Sequence, residues 1–150
     1  MEKKQRKLNN EGFSLIELIV VIAIMAILVG ALAPQLLKYI QRAREAQDVQ
    51  AVGAIYTAVT TAYADPDVTS GKPTAAGTVT LTTTSPAALS FSAEVLSTLG
   101  GAMPTYSSDE YNGKTPTINY LGNGQFTVVL AGDNKTVTVS SSGSAITATP

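Results

Sequence analysis

A chain of 150 residues is about one domain's worth, and its 10 Lys plus Arg against 11 Asp plus Glu leave a net charge of −1, which supplies no field to steer nucleic acid. There is no Cys and no His, which removes disulfides, thiolate and imidazole catalysis and almost every zinc site, while the redox compartment stays open. Asp, Glu, Lys and Ser remain for chemistry, but the usual general base near neutral pH is missing.

The charge is uneven. Residues 1 to 12, MEKKQRKLNNEG, hold Lys3, Lys4, Arg6 and Lys7 against Glu2 and Glu11, a net of +2, so the other 138 residues carry −3. Between Glu17 and Lys38 lie 20 uncharged residues, LIVVIAIMAILVGALAPQLL. As a helix at roughly 1.5 Å per residue they span about 30 Å, the thickness of a bilayer's hydrocarbon core. A buried core helix, a cleaved signal peptide and a retained membrane helix compete for this segment. So long an apolar run favours a span over a soluble core. The small-x-small pattern Ala31-Leu32-Ala33 suits signal cleavage, but Pro34 comes next and fits an extended protease cleft poorly. A retained membrane helix is the expectation. The bases of the leader place its N-terminus in the cytoplasm, although Lys38, Arg42 and Arg44 flank the other end.

Glu17 sits just inside the apolar run, where a carboxylate needs a partner or a reason, the plain one being that it marks the interface and snorkels to headgroups. The stretch Gly12-Phe13-Ser14-Leu15-Ile16-Glu17-Leu18, after a short basic leader and before an unbroken apolar run, resembles the processing and assembly signature of the type IV pilin (prepilin) superfamily. The resemblance covers about the first 40 residues. It implies that a prepilin peptidase removes residues 1–12 by cutting between Gly12 and Phe13, and that the new Phe13 amine is methylated. Glu17 would then be the assembly residue, pairing with the Phe13 amine of a neighbouring subunit. That pairing is chemically reasonable. An ammonium at a helix N-terminus opposes the macrodipole, four backbone N–H groups there lack partners, and a carboxylate in the first turn answers both. Phe13 and Glu17 are four apart, so pairing within a chain is also open.

Beyond Pro34 apolar residues continue in steps of three or four, Leu36, Ile40, Ala43, Ala46, Val49, Val52, Tyr56, Val59 and Tyr63. The spacing predicts one helix from near Ser14 to near Ala64, apolar all round at first (13–34) and amphipathic from 35 to 64, with Lys38, Arg42, Arg44, Glu45 and Asp48 off the stripe. Pro34 cannot donate to the carbonyl of Gly30, so these two residues mark a helix break. It is read either as a simple kink or, by the resemblance, as a point of local melting during fibre assembly.

From Asp65 the composition changes, with 27 Ser or Thr and nine charges among the last 86 residues, which predicts a β-rich surface domain over 65–150. Asp65-Pro66-Asp67 stops the helix. Val79 and Leu81 alternate with Thr78, Thr80 and Thr82, as in a strand or ordered loop. A short helix is expected over Ser92 to Leu99, with Ser92 as its cap, Glu94 in its first turn and Gly100-Gly101 as its stop. Strands are expected next over Thr117–Leu121, Gln125–Ala131 and Lys135–Ser140, with turns at Gly122-Asn123-Gly124 and Gly132-Asp133-Asn134. Phe126, Val128 and Leu130 share the face that covers the helix. Ser140 to Pro150 adds an edge strand around Ile146 or frays. The expected fold is α+β, one long helix packed against an antiparallel meander, with 35–150 as the globular part.

Weaker signals have plainer explanations. Gly122-Asn123-Gly124 lacks the lysine-bearing helix of a phosphate loop. The pairs Asp65 with Asp67 and Asp109 with Glu110 lack calcium-loop periodicity and are expected to be solvated turn acids. Asn134-Lys135-Thr136 matches a glycosylation acceptor, but the hairpin turn explains the asparagine. A hydrophobic C-terminal tail of a wall-anchored protein is not seen. No cofactor, metal, small-molecule substrate, nucleic-acid partner or catalytic role is expected.

The resemblance implies a subunit of an extracellular type IV pilus, anchored in the cell membrane before assembly. Its partners would be other pilin subunits, the prepilin peptidase/methyltransferase, an assembly platform with its ATPase, and the lipid bilayer. A pseudopilin of a secretion or DNA-uptake machine shares every N-terminal feature. An exported binding domain on a membrane anchor is the reading from a different class.

Overall fold

The computed structural model describes residues 12–80 and 90–148. Helix α1 runs Leu15–Ala64, 50 residues, through Pro34 without interruption. It begins where the Ser14 carbonyl accepts the Leu18 amide at 3.2 Å and ends where the Asp65 amide donates to Thr61 at 3.0 Å. The Asp65 carboxylate then accepts the Asp67 amide at 2.8 Å, a local turn that competes with further helix. The chain divides into two compact units between Tyr39 and Ile40.

In the first unit every described residue, from 12 to 39, is exposed. Its helical part is apolar on all faces, so no stripe exists for a core to cover.

The second unit packs residues 40–64 of α1 against a five-stranded sheet. The strands are β1 (Gly77–Val79), β2 (Thr117–Gly122), β3 (Gln125–Ala131), β4 (Lys135–Ser140) and β5 (Gly143–Ala148). They lie in sequence order and every neighbouring pair is antiparallel, a simple meander. β3 is central and alternates as expected, Phe126, Val128 and Leu130 buried. Register places Ile118 opposite Val128 and Tyr120 opposite Phe126, and Val139 and Val137 opposite Val128 and Leu130. One face therefore carries a continuous apolar surface. The β2–β3 connection is a two-residue turn in which Asn123 (φ 52°) and Gly124 (φ 78°) are both left-handed, the backbone that an Asn-Gly pair accepts best and that matches strand twist. The edge strand anticipated around Ile146 is β5, and of the alternation near Val79 two residues, Thr78 and Val79, lie in β1, Thr80 lies just past it, and Leu81 and Thr82 fall outside the described residues.

Helix α2 (Phe91–Thr98) starts two residues earlier than the sequence suggested. Its N-cap is Ser90, not Ser92, and the Ser90 hydroxyl accepts the Ala93 amide at 3.3 Å. This start puts Phe91 at the first helical position, where it is buried with Val95 against the sheet. Burial of that aromatic outweighs the small difference between two serine caps. At the other end Gly100 (φ 84°) donates to Ser97 and Gly101 to Leu96, the double hydrogen bond that closes a helix on a left-handed glycine.

The buried face of α1 is also displaced from the expected stripe. Asp48, Val52, Ile55, Ala58, Val59 and Ala62 are buried, whereas Leu36, Ile40, Ala43 and Ala46 are exposed and Val49, Tyr56 and Tyr63 only flank the core. Tyrosines sit at the rim with the ring packed and the hydroxyl reaching out. Ala58 and Ala62 let the sheet approach the helix axis. Tyr63 makes an edge contact with Phe126, centroids 5.3 Å apart, and its hydroxyl meets that of Tyr120 at 2.8 Å.

Candidate processing and assembly segment

Two kinds of residue stand out once the fold is known: polar groups that fasten the globular unit, and residues near the start of α1 that the chain's own packing does not explain.

Asp48 belongs to the first kind, and its position is a correction. The polarity pattern puts it off the apolar stripe, yet it is 2% exposed. Its two carboxylate oxygens accept the backbone amides of Ser107, at 3.0 Å, and Ser108, at 2.9 Å. A buried carboxylate is tolerated when its lone pairs are filled in this way, and these bonds pin the segment leading into Tyr111 onto the helix. Position 48 is four before Val52, so plotting by helical angle rather than by polarity would have placed it inside. Burial, and then the Asp48 charge, pushes the nearby Tyr106 phenol up to about 12.

Glu110 is a second correction. It is no solvated turn acid: its Oε1 accepts the Asn134 amide and, at 2.6 Å, the Lys135 amide, while Oε2 accepts the Asn134 side chain at 3.3 Å. These hydrogen bonds, the Asn134 amide foremost, hold its carboxyl below the usual carboxylate range. The glycosylation-type asparagine is thus engaged by a carboxylate on a separate loop. Gly132, in the same turn, is required by crowding: a Cβ there would meet the Glu110 side chain and the Tyr111 ring, each at 2.7 Å. Asp109, paired with Glu110 in that expectation, accepts the side-chain Nε2 of Gln41 on its Oδ2 at 2.6 Å, and Lys135 reaches Glu45 at 2.6 Å.

The second kind is Gly12, Phe13 and Glu17. Gly12 is the first residue the structure describes, and residues 1–11 of the leader lie outside the described residues. Gly12 is exposed and a Cβ built on it meets nothing within 4 Å, so packing against the described residues makes no demand for glycine there. Phe13 is 89% exposed and precedes the helix by two residues. It therefore does not share a helix face with Glu17 in the uncleaved chain. Ser14 is the cap residue, and Ser14-x-x-Glu17 has the spacing of a capping box, a signal present in the sequence but easily passed over. Glu17 is in the first turn of α1 and makes no hydrogen bond or ion pair with any described residue. No free ammonium faces it either, because the Gly12–Phe13 peptide bond is intact here. Downstream, α1 is long and apolar enough to cross a membrane, and none of its most apolar stretch is buried. Gly30, like Gly12, has nothing within 4 Å of a built Cβ.

Residues 7–33 carry the prokaryotic N-terminal methylation motif. The match begins within the basic leader, contains Gly12, Phe13 and Glu17, and ends just before Pro34. It is a type IV pilin-like signal, which implies processing by a prepilin peptidase and pilus-type assembly, and the exposed apolar helix behind it fits membrane anchoring. Neither the curated proteins nor the solved structures give a match to this chain.

Proposed function

We propose that the chain is a structural subunit that polymerises through α1 into an extracellular type IV pilus and has no catalytic role. One observation carries this reading: within the methylation motif, Gly12, Phe13 and Glu17 are exposed and without a partner among the described residues, at the head of an apolar helix whose apolar stretch is exposed. We read their chemistry as directed outward.

Cleavage after Gly12 removes the four leader bases and creates an ammonium on Phe13, methylated in the mature subunit. Glu17 of an incoming subunit pairs with the ammonium of one already in the fibre, and the apolar helices exchange lipid for each other. In a low-dielectric bundle an unpaired ion of either sign is costly, so each docking step is driven toward completion of the pair. The peptidase, an assembly platform with its ATPase and the lipid bilayer are the partners this sequence of events requires. The subunit is membrane-anchored with a cytoplasmic N-terminus before assembly and extracellular afterwards. A pseudopilin would share these steps and differ in fibre length and location.

The test is the N-terminus of the exported protein. Intact mass and N-terminal sequencing should give a chain starting at a methylated Phe13 with α1 retained. A chain starting at Pro34 would identify a discarded signal peptide and end this reading.

A further inference from the structure

Asn-Gly occurs twice in this chain, at Asn112-Gly113 and at Asn123-Gly124. In such a pair the glycine amide nitrogen can reach the asparagine side-chain carbonyl carbon unhindered, because glycine carries no Cβ. Both pairs form the centre of a tight turn. The Lys114 amide donates to the Tyr111 carbonyl at 3.1 Å across the first, and Gly122 faces Gln125 across the second. Gly113 and Gly124 have φ of 71° and 78°, and both asparagines are exposed. A turn is closed by the amide at its end, which leaves the amide of its central peptide unused. Sequence and turn alike therefore treat the two pairs as equals.

Their surroundings separate them. The Gly124 amide donates to the Tyr120 hydroxyl at 3.1 Å, that hydroxyl meets the Tyr63 hydroxyl at 2.8 Å, and a Cβ built on Gly124 lies 3.4 Å from the Tyr63 ring. This nitrogen reaches the Asn123 side chain only after its hydrogen bond breaks. The Gly113 amide makes no hydrogen bond with any described residue, and a Cβ built on Gly113 meets nothing within 4 Å. The Asn112 side chain likewise has no partner among the described residues. Asn134 differs on both counts, since Lys135 follows it and Glu110 accepts its side-chain amide at 3.3 Å.

We infer that Asn112 is a site of spontaneous deamidation in the folded protein and that the Tyr120 hydroxyl shields Asn123 from the same reaction. The Gly113 nitrogen attacks Cγ of Asn112, the Cγ–Nδ2 bond breaks, and Nδ2 leaves as ammonia with the proton that the Gly113 amide gives up. Water then opens the five-membered imide at either carbonyl and leaves an aspartyl or isoaspartyl residue at position 112. The net charge falls from −1 to −2. The Asn112 amide donates to Ser108 at 3.0 Å, so the new carboxylate joins Asp109 and Glu110 on one helical turn.

The full 150-residue chain in detergent micelles, incubated at mildly alkaline pH, tests this. Trypsin cuts after Lys114 and puts the two asparagines on different peptides, so mass spectrometry follows each amide-to-acid conversion separately. In the folded chain Asn112 should convert faster than Asn123 by about fivefold or more, the factor that one hydrogen bond supplies. In concentrated urea, with the globular unit unfolded, the two rates should agree within about twofold, because each amide then meets only solvent. No conversion at Asn112 in the folded chain, or equal rates there, overturns the proposal. A ratio that survives unchanged in urea overturns it too, because the difference would then belong to the local sequence and owe nothing to Tyr120.

Discussion

At the scale of single residues, the globular unit is fastened by carboxylates that reach between segments distant in sequence. Asp48 fills both oxygens with the Ser107 and Ser108 amides, so Asp48→Ala leaves the buried Ser108 N–H and the part-buried Ser107 N–H without their acceptor and should cost about 1–3 kcal/mol, read as a lowered chemical-denaturation midpoint. Glu110 gives a pH dependence whose sign follows from its lowered pKa. Its folded value lies below the ordinary 4.5, so its contribution is complete above that value and is lost as pH falls through the lower folded value. Amide exchange at Asn134 and Lys135 should therefore accelerate relative to the rest of the sheet at acidic pH, and Glu110→Gln should remove the pH dependence. Exchange at these amides that shows no such difference between the two chains would contradict the Glu110 contacts. Both carboxylates escape a reading of the sequence for one reason. Their partners are backbone amides some 60 and 24 residues away, and nothing local in the chain announces them.

At the scale of elements, the features that neighbours in the chain specify are the ones legible in the sequence. They include the turn of left-handed residues at Asn123-Gly124, the alternation in β3 and the glycine stop of α2. The departures arise where tertiary packing chose between local options. Two serines could cap α2, and burial of Phe91 selected Ser90. The buried side of α1 keeps Val52 and Val59 of the expected stripe and adds Asp48, Ile55, Ala58 and Ala62, while Tyr56 and Tyr63 of that stripe lie at its margin. Gly132 looked like a turn former, but its reason is the Glu110–Tyr111 segment packed against it. The candidate site was legible for the opposite reason: residues 7–33 match a linear motif that contains Gly12, Phe13 and Glu17, so finding it does not wait on the fold. The cap assignment is testable at Ser90 itself. Ser90→Ala should lose about 1 kcal/mol of stability, and Ser90→Thr, which keeps a capping oxygen, should lose less. No loss in thermal melts of Ser90→Ala would overturn the cap.

At the scale of the whole molecule, the decisive residue is Glu17, because the pairing proposed for it needs a second copy of the chain. A carboxylate with no partner among the described residues, at the start of a helix bound for lipid, either reaches the headgroups or waits for an ammonium. Glu17→Gln separates the two. Glutamine keeps the shape and suits the third position of a capping box as glutamate does, so the start of α1 is preserved, and removal of the charge makes insertion no harder. The variant should accumulate in the membrane, cut after Gly12, with its Phe13 ammonium present. When such a subunit docks, it buries a neighbour's ammonium without a counter-charge, a loss of several kcal/mol at each step of growth. Sheared surface fibres, quantified against membrane-bound subunit, should therefore fall by an order of magnitude or more while the membrane pool rises. Normal fibre yield would show that Glu17 serves only the interface with lipid headgroups, and the charge-pairing step would have to be abandoned even if cleavage and methylation at Phe13 proceed as proposed.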